Sequence, residues 1–134
     1  MKKYKTWSVP YLLYDTFILS VSSIISSLSE AALKSLKTAT YMVDTIEGKK
    51  YTSVLFKENG VSGFRFDLSC MVPVNNDAKY LHKELLALFK EMNVESIRWT
   101  GNKAVVIDNW NVLHGRRNIS NTEQKRQLMR IYTG

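Results

Sequence analysis

At 134 residues the chain is long enough for one compact domain and too short for two ordinary ones. Apolar residues make up 45% and charged residues 23%, the balance of a folded globular protein rather than a disordered one. One cysteine excludes a disulfide framework, two histidines (His82 and His114) cannot complete a three-histidine metal site, and nineteen basic against twelve acidic residues (+7) invite an anionic partner.

Lys2, Lys3 and Lys5 precede a mostly apolar stretch, residues 11–28, with the outline of a signal or anchor segment. Asp15 interrupts it, and Ser20, Ser22, Ser23, Ser26 and Ser27 dilute it below the roughly twenty apolar residues that a membrane span needs. No small-residue cleavage site follows its most apolar part, residues 17–25, so a soluble, cytoplasmic chain without a membrane partner is expected. Ser27 and Glu30 have capping-box spacing, and Ala31, Ala32, Leu33 and Leu36 continue a short helix to about Lys37. Residues 1–40 thus read as a helical lead-in without a strand.

Strand-like runs follow at 41–47, 51–57 and 61–67, separated by turns at Gly48-Lys49 and Asn59-Gly60. The second turn is the stronger signal, because both residues tolerate positive φ. Pro73, Asn75, Asn76 and Asp77 form a loop that caps a helix over about 77–92, where Ala78, Leu81, Leu85, Leu88, Phe89 and Met92 make one apolar face. Two more strands, 95–100 and 103–108, flank a turn at Gly101-Asn102. A polar loop over 115–124 leads to a last strand at about 126–133. The fold expected over 1–134 is a single domain, mainly β with flanking helices (α+β). Its strands from residue 41 onward form an antiparallel sandwich or jelly roll, with the 77–92 helix packed outside.

The basic residues fall in separate places, at Lys2–Lys3–Lys5, Lys49–Lys50 and the C-terminal group Arg116, Arg117, Lys125, Arg126 and Arg130. Most aromatic residues lie in strand-like runs, where core packing accounts for them, so no nucleic-acid partner is expected. His114 stands just past a β-branched strand and a polar bend, followed by glycine. An imidazole there can ligate a metal while a neighbour fixes its tautomer, or simply cap the strand by hydrogen bonding. Arg126 and Arg130 share one face of the last strand. They face water from an exposed edge, or take an anion or carboxylate between them.

Together these residues resemble the C-terminal part of the taurine dioxygenase-like (TauD/TfdA-like, clavaminate synthase-like) Fe(II)/2-oxoglutarate oxygenases. Asp108-Asn109-Trp110-Asn111-Val112-Leu113-His114-Gly115-Arg116 is similar to that family's distal-histidine motif, and Arg126-Gln127-Leu128 to the arginine strand after it. The run from Phe64 through Arg65, Phe66, Asp67 and Met71 to Pro73 is similar to the family's segment before the helix that leads to the motif. The resemblance implies a partial double-stranded β-helix, or jelly roll. It implies Fe(II) with 2-oxoglutarate as co-substrate, and hydroxylation of a small-molecule substrate while 2-oxoglutarate is decarboxylated to succinate. It assigns His114 to the metal, Arg126 to the distal carboxylate of 2-oxoglutarate, and Arg130 to an anionic group of the substrate.

Two departures from the family pattern stand in the sequence. Asn111 occupies a position where the family usually carries arginine, and the proximal His-x-Asp/Glu pair is absent. The one His-x-Glu, His82-Lys83-Glu84, lies within a helix, where residues two apart point about 200° apart and cannot chelate one ion. The chain therefore reads as an incomplete oxygenase domain that needs a second chain, or self-associates. The alternative is a non-catalytic relative that binds an anion or a partner protein.

Overall fold

The computed structural model describes residues 3–10, 16–99, 103–116 and 125–132. Two strands, β1 (Lys3–Pro10) and β2 (Thr16–Ser20), precede the first helix, which corrects the helical lead-in expected over residues 1–40. Short runs such as Thr-Phe-Ile-Leu-Ser fit a strand or a helix equally by periodicity, and the partner strand decides. For β1 that partner is the last strand, more than a hundred residues away.

Two short helices follow, α1 (Val21–Ser27) and α2 (Glu30–Leu36). The capping box does not form at Ser27, whose hydroxyl donates back to the Ser23 carbonyl (2.8 Å) at the end of α1. Ser29 caps α2 instead, accepting from the Ala32 amide at 3.1 Å, with Glu30 in the first turn where the helix dipole favours it.

The contacts divide the chain into two compact units. The larger comprises residues 19–94 and 106–113. Its sheet sets β3 (Tyr41–Thr45) between β4 (Gly48–Thr52) and β7 (Met71–Pro73), all antiparallel, with Tyr41 opposite both Thr52 and Pro73. The β3–β4 turn sits at Ile46 and Glu47, not at Gly48-Lys49, because Gly48 takes φ +114 to open β4. The expected strand over 51–57 is broken at Ser53 and Val54. Val54 is fully buried, and its carbonyl accepts from the Arg65 amide (2.8 Å), so β5 (Leu55–Glu58) starts afresh. It pairs with β6 (Val61–Phe64) across the Asn59-Gly60 turn, where both residues have positive φ (50 and 80), as the sequence led us to expect.

Helix α3 (Asn76–Glu91) buries Ala78, Leu81 and Leu85 in a core with Ile24, Leu36, Tyr41, Val54 and Phe64. Asn75 caps it by accepting from the Ala78 amide (2.9 Å) and ties it to the approach to β3, accepting from the Thr40 amide and donating to the Thr38 carbonyl. The Tyr41 hydroxyl donates to the Ala78 carbonyl at 3.2 Å, and burial pushes its pKa up to about 12.

The smaller unit comprises residues 1–18, 95–105 and 114–134. Here β10 (Lys125–Tyr132) pairs antiparallel with β1, and β8 (Glu95–Ile97) with β2. β2 lies between β8 and β9 (Val112–Arg116). Residues 103–108 are irregular rather than a strand: Val106 is 99% exposed, and β-branched composition without a paired neighbour does not make one. The expected turn at Gly101-Asn102 and residues 117–124 of the polar loop lie outside the described residues. Among the described residues no helix is long and apolar enough to cross a membrane.

Candidate functional site

His114 is the third residue of β9, and the turn before that strand is built by its own sequence. The Asp108 carboxylate accepts from the Trp110 amide at 3.0 Å and from the Asn111 side-chain amide at 2.8 Å. These bonds, the Asn111 one first, hold its pKa below the usual carboxylate range. The Asp108 carbonyl also accepts from the Asn111 and Val112 amides, so residues 108–112 close into one tight bend. Asn111 thus does the work of a turn-closing donor at the position where the oxygenases resembled carry arginine. Two further backbone bonds anchor the bend, from the Phe64 amide to the Trp110 carbonyl (3.1 Å) and from Val21 to the Asn111 carbonyl (2.8 Å).

An aromatic stack fixes the same bend from its side. The Trp110 ring meets Phe56 edge to face with centroids 5.0 Å apart, and the Arg65 guanidinium lies 4.0 Å over the other ring, Phe56. Phe56 lies across from Gly63 in the β5–β6 register, where an added Cβ would fall 2.3 Å from the ring. Gly63→Ala is therefore expected to push Phe56 off Trp110 and cost about 1–3 kcal/mol, read as a shift in the denaturant midpoint. A cost near zero would mean the stack does not hold the bend.

The Phe64–Pro73 segment is architectural in the structure. Arg65 faces a ring, Phe66 packs against Tyr41, His82 and Phe89, and Asp67 caps a turn by accepting from the Ser69 amide (2.9 Å) and hydroxyl (2.6 Å). The sequence offered no signal for the stack of Arg65, Phe56 and Trp110, because Phe56 and Trp110 are 54 residues apart in the chain. His82 lies in α3 against Tyr41 and Phe66, and its Nδ1 is buried without a hydrogen-bond partner.

Arg126 and Arg130 both lie in β10, opposite Val9 and Lys5 of β1. The alternation of the strand puts the two positions on one face. His114 and the two arginines thus fall in the same compact unit, although β9 itself begins in the larger one. Among the described residues no group of three histidines, cysteines or carboxylates could hold a metal ion. An iron centre of two histidines and a carboxylate does not fit the donors this chain presents there, since His114 offers one imidazole.

No family model and no curated protein matches the sequence. Solved structures match the fold, among them two of asparagine oxygenase. One is an asparagine oxygenase in complex with Fe(II), 2S,3S-3-hydroxyasparagine and succinate (TM-score 0.76, 18% identity). The other is a structure of asparagine oxygenase (TM-score 0.75, 18% identity). Each match covers 96% of this chain but only 44% and 42% of the other, so the chain spans less than half the length of these enzymes. The fold is α+β and is similar to part of the fold of these two structures.

Proposed function

We propose that the chain is the C-terminal part of an Fe(II)/2-oxoglutarate-dependent dioxygenase. The observation that carries this reading is the match of nearly the whole chain to less than half of an oxygenase fold. The histidine and arginine motifs of the sequence support it. In this reading Arg126 binds the distal carboxylate of 2-oxoglutarate through its planar fork, His114 is one ligand of the iron, and Arg130 meets an anionic group of the substrate. When bound, the iron would supply the oxidising chemistry of hydroxylation. The remaining ligands come from a second polypeptide or a second copy of the chain.

Strand order favours such completion. Among the described strands β9 ends the order β8-β2-β9 and β10 has a single neighbour, so each of the two strands carrying the motifs has an edge open to a further strand. The absence of a three-donor group among the described residues favours a second reading, a non-catalytic relative that keeps only the anion site.

Ligand-observed NMR with 2-oxoglutarate tests the assignment without needing iron. Wild type is expected to bind, Arg126→Ala to bind at least about tenfold more weakly, and Arg126→Lys to recover only part of the loss. Equal binding by wild type and Arg126→Ala would remove Arg126 from the site. No binding by wild type would favour the non-catalytic relative.

A further inference from the structure

Of the nine asparagines in the sequence, Asn59 is the one followed by glycine. That step is the most labile chemically, because an amide nitrogen with no Cβ beside it reaches the preceding side chain unhindered. Asn59 and Gly60 form the tip of the β5–β6 hairpin, with φ 50 and 80, and every residue from Lys57 to Val61 is exposed. Nothing stands within 4 Å of the place a Gly60 Cβ would take, so the space beside its nitrogen is open. Among the described residues no hydrogen bond holds the Asn59 side-chain amide. Other asparagines are committed: Asn75 bonds to Thr38, Thr40 and Ala78, and Asn111 donates to Asp108.

More than the tip depends on this turn. It joins the strands that carry Phe56 and Phe64, and the Glu58–Val61 pair directly beside it sets their register. Phe56 stacks on Trp110, and the Phe64 amide donates to the Trp110 carbonyl. Both contacts hold the bend that precedes β9.

We propose that Asn59 is a deamidation site, and that its isoaspartyl product unlocks the hairpin and with it the bend before β9. The Gly60 amide nitrogen gives up its proton to solvent base and attacks the Asn59 Cγ. A C–N bond forms there as the Cγ–Nδ2 bond breaks, and ammonia leaves. Water then opens the cyclic imide, with no change of oxidation state. Opening at the side-chain carbonyl gives aspartate, which leaves the main chain unaltered, and Asp-Gly suits the same turn. Opening at the main-chain carbonyl gives isoaspartate, which routes the backbone through Cβ. The added carbon cannot be fitted into a two-residue turn matched to the twist of its strands, so the Glu58–Val61 pair is lost. None of this rests on the oxygenase reading.

The test is to age the 134-residue chain at mildly alkaline pH and body temperature, then map its peptides by mass spectrometry with an isoaspartate-specific methylation assay. Asn93 and Asn109 are equally exposed but precede Val94 and Trp110, which makes them the internal controls. Asn59 is expected to convert at least about tenfold faster than either, a barrier difference of about 1.4 kcal/mol. In the isoaspartyl fraction the Phe64 amide should exchange with deuterium at least about tenfold faster than in fresh protein. Asn59→Asp carries the charge without the added carbon, and should leave that exchange within about twofold. Asn59→Gly keeps a turn-forming pair and cannot deamidate, so ageing should change neither its mass at this position nor its Phe64 exchange. Asn59 converting no faster than Asn93 or Asn109 would overturn the site. The link to the bend would be overturned by isoaspartate that leaves Phe64 exchange unchanged, or by a Phe64 amide already unprotected in fresh protein. Loss of protection in fresh Asn59→Asp, or in aged Asn59→Gly, would overturn it equally.

Discussion

Phe64→Ala is expected to destabilise the chain by about 3–5 kcal/mol, a third or more of the stability of an ordinary small domain. The ring is 1% exposed and sits in the core with Tyr41, Val54, Leu81 and Leu85, so its removal opens a cavity among residues already packed. The position also carries function, because the Phe64 amide donates to the Trp110 carbonyl in the bend that precedes β9. A cavity that lets β6 shift would loosen that bend as well as the core. Phe64→Leu should recover most of the loss, and Val61→Ala on the same strand, at a half-exposed residue, should stay within about 0.5 kcal/mol. Chemical denaturation of the three variants decides it. A Phe64→Ala cost below about 1 kcal/mol would mean the β5–β6 hairpin is not part of the cooperative core.

The hairpin itself was legible in the sequence, because Asn59-Gly60 is a local signal that needs no distant partner. Helix α3 was legible for the same kind of reason, since one apolar stripe and an asparagine cap mark it locally. What escaped the sequence depends on partners far along the chain. β1 is a strand because β10 pairs with it, and residues 103–108 are not one because no described strand pairs with them. The face shared by Lys5, Arg126 and Arg130 needs the β1–β10 register, which no window of sequence contains. At the site, the motif around His114 was readable, but the role of Asn111 was not. Its amide closes the turn on Asp108, a contact visible only once the bend is folded.

Iron(II) titrated anaerobically into the chain alone is expected to give no stoichiometric micromolar site. A stable centre of this type takes three protein ligands, two imidazoles and a carboxylate, and affinity is lost steeply as ligands are removed. His114 supplies one imidazole, and no group of three donors exists among the described residues. The other histidine, His82, is committed to the aromatic packing of α3, with Glu84 about 200° round the same helix. His114→Ala should therefore leave the titration of the isolated chain unchanged. The same titration in the presence of a polypeptide that carries a His-x-Asp pair and adds a strand to β9 or β10 should develop a site that His114→Ala abolishes. A tight, stoichiometric site in the chain alone, lost in His114→Ala, would overturn this expectation and would require the missing donors to come from a second copy of the same chain. Sedimentation at the titrated concentration then separates the cases, because a site assembled between copies must disappear on dilution to monomer.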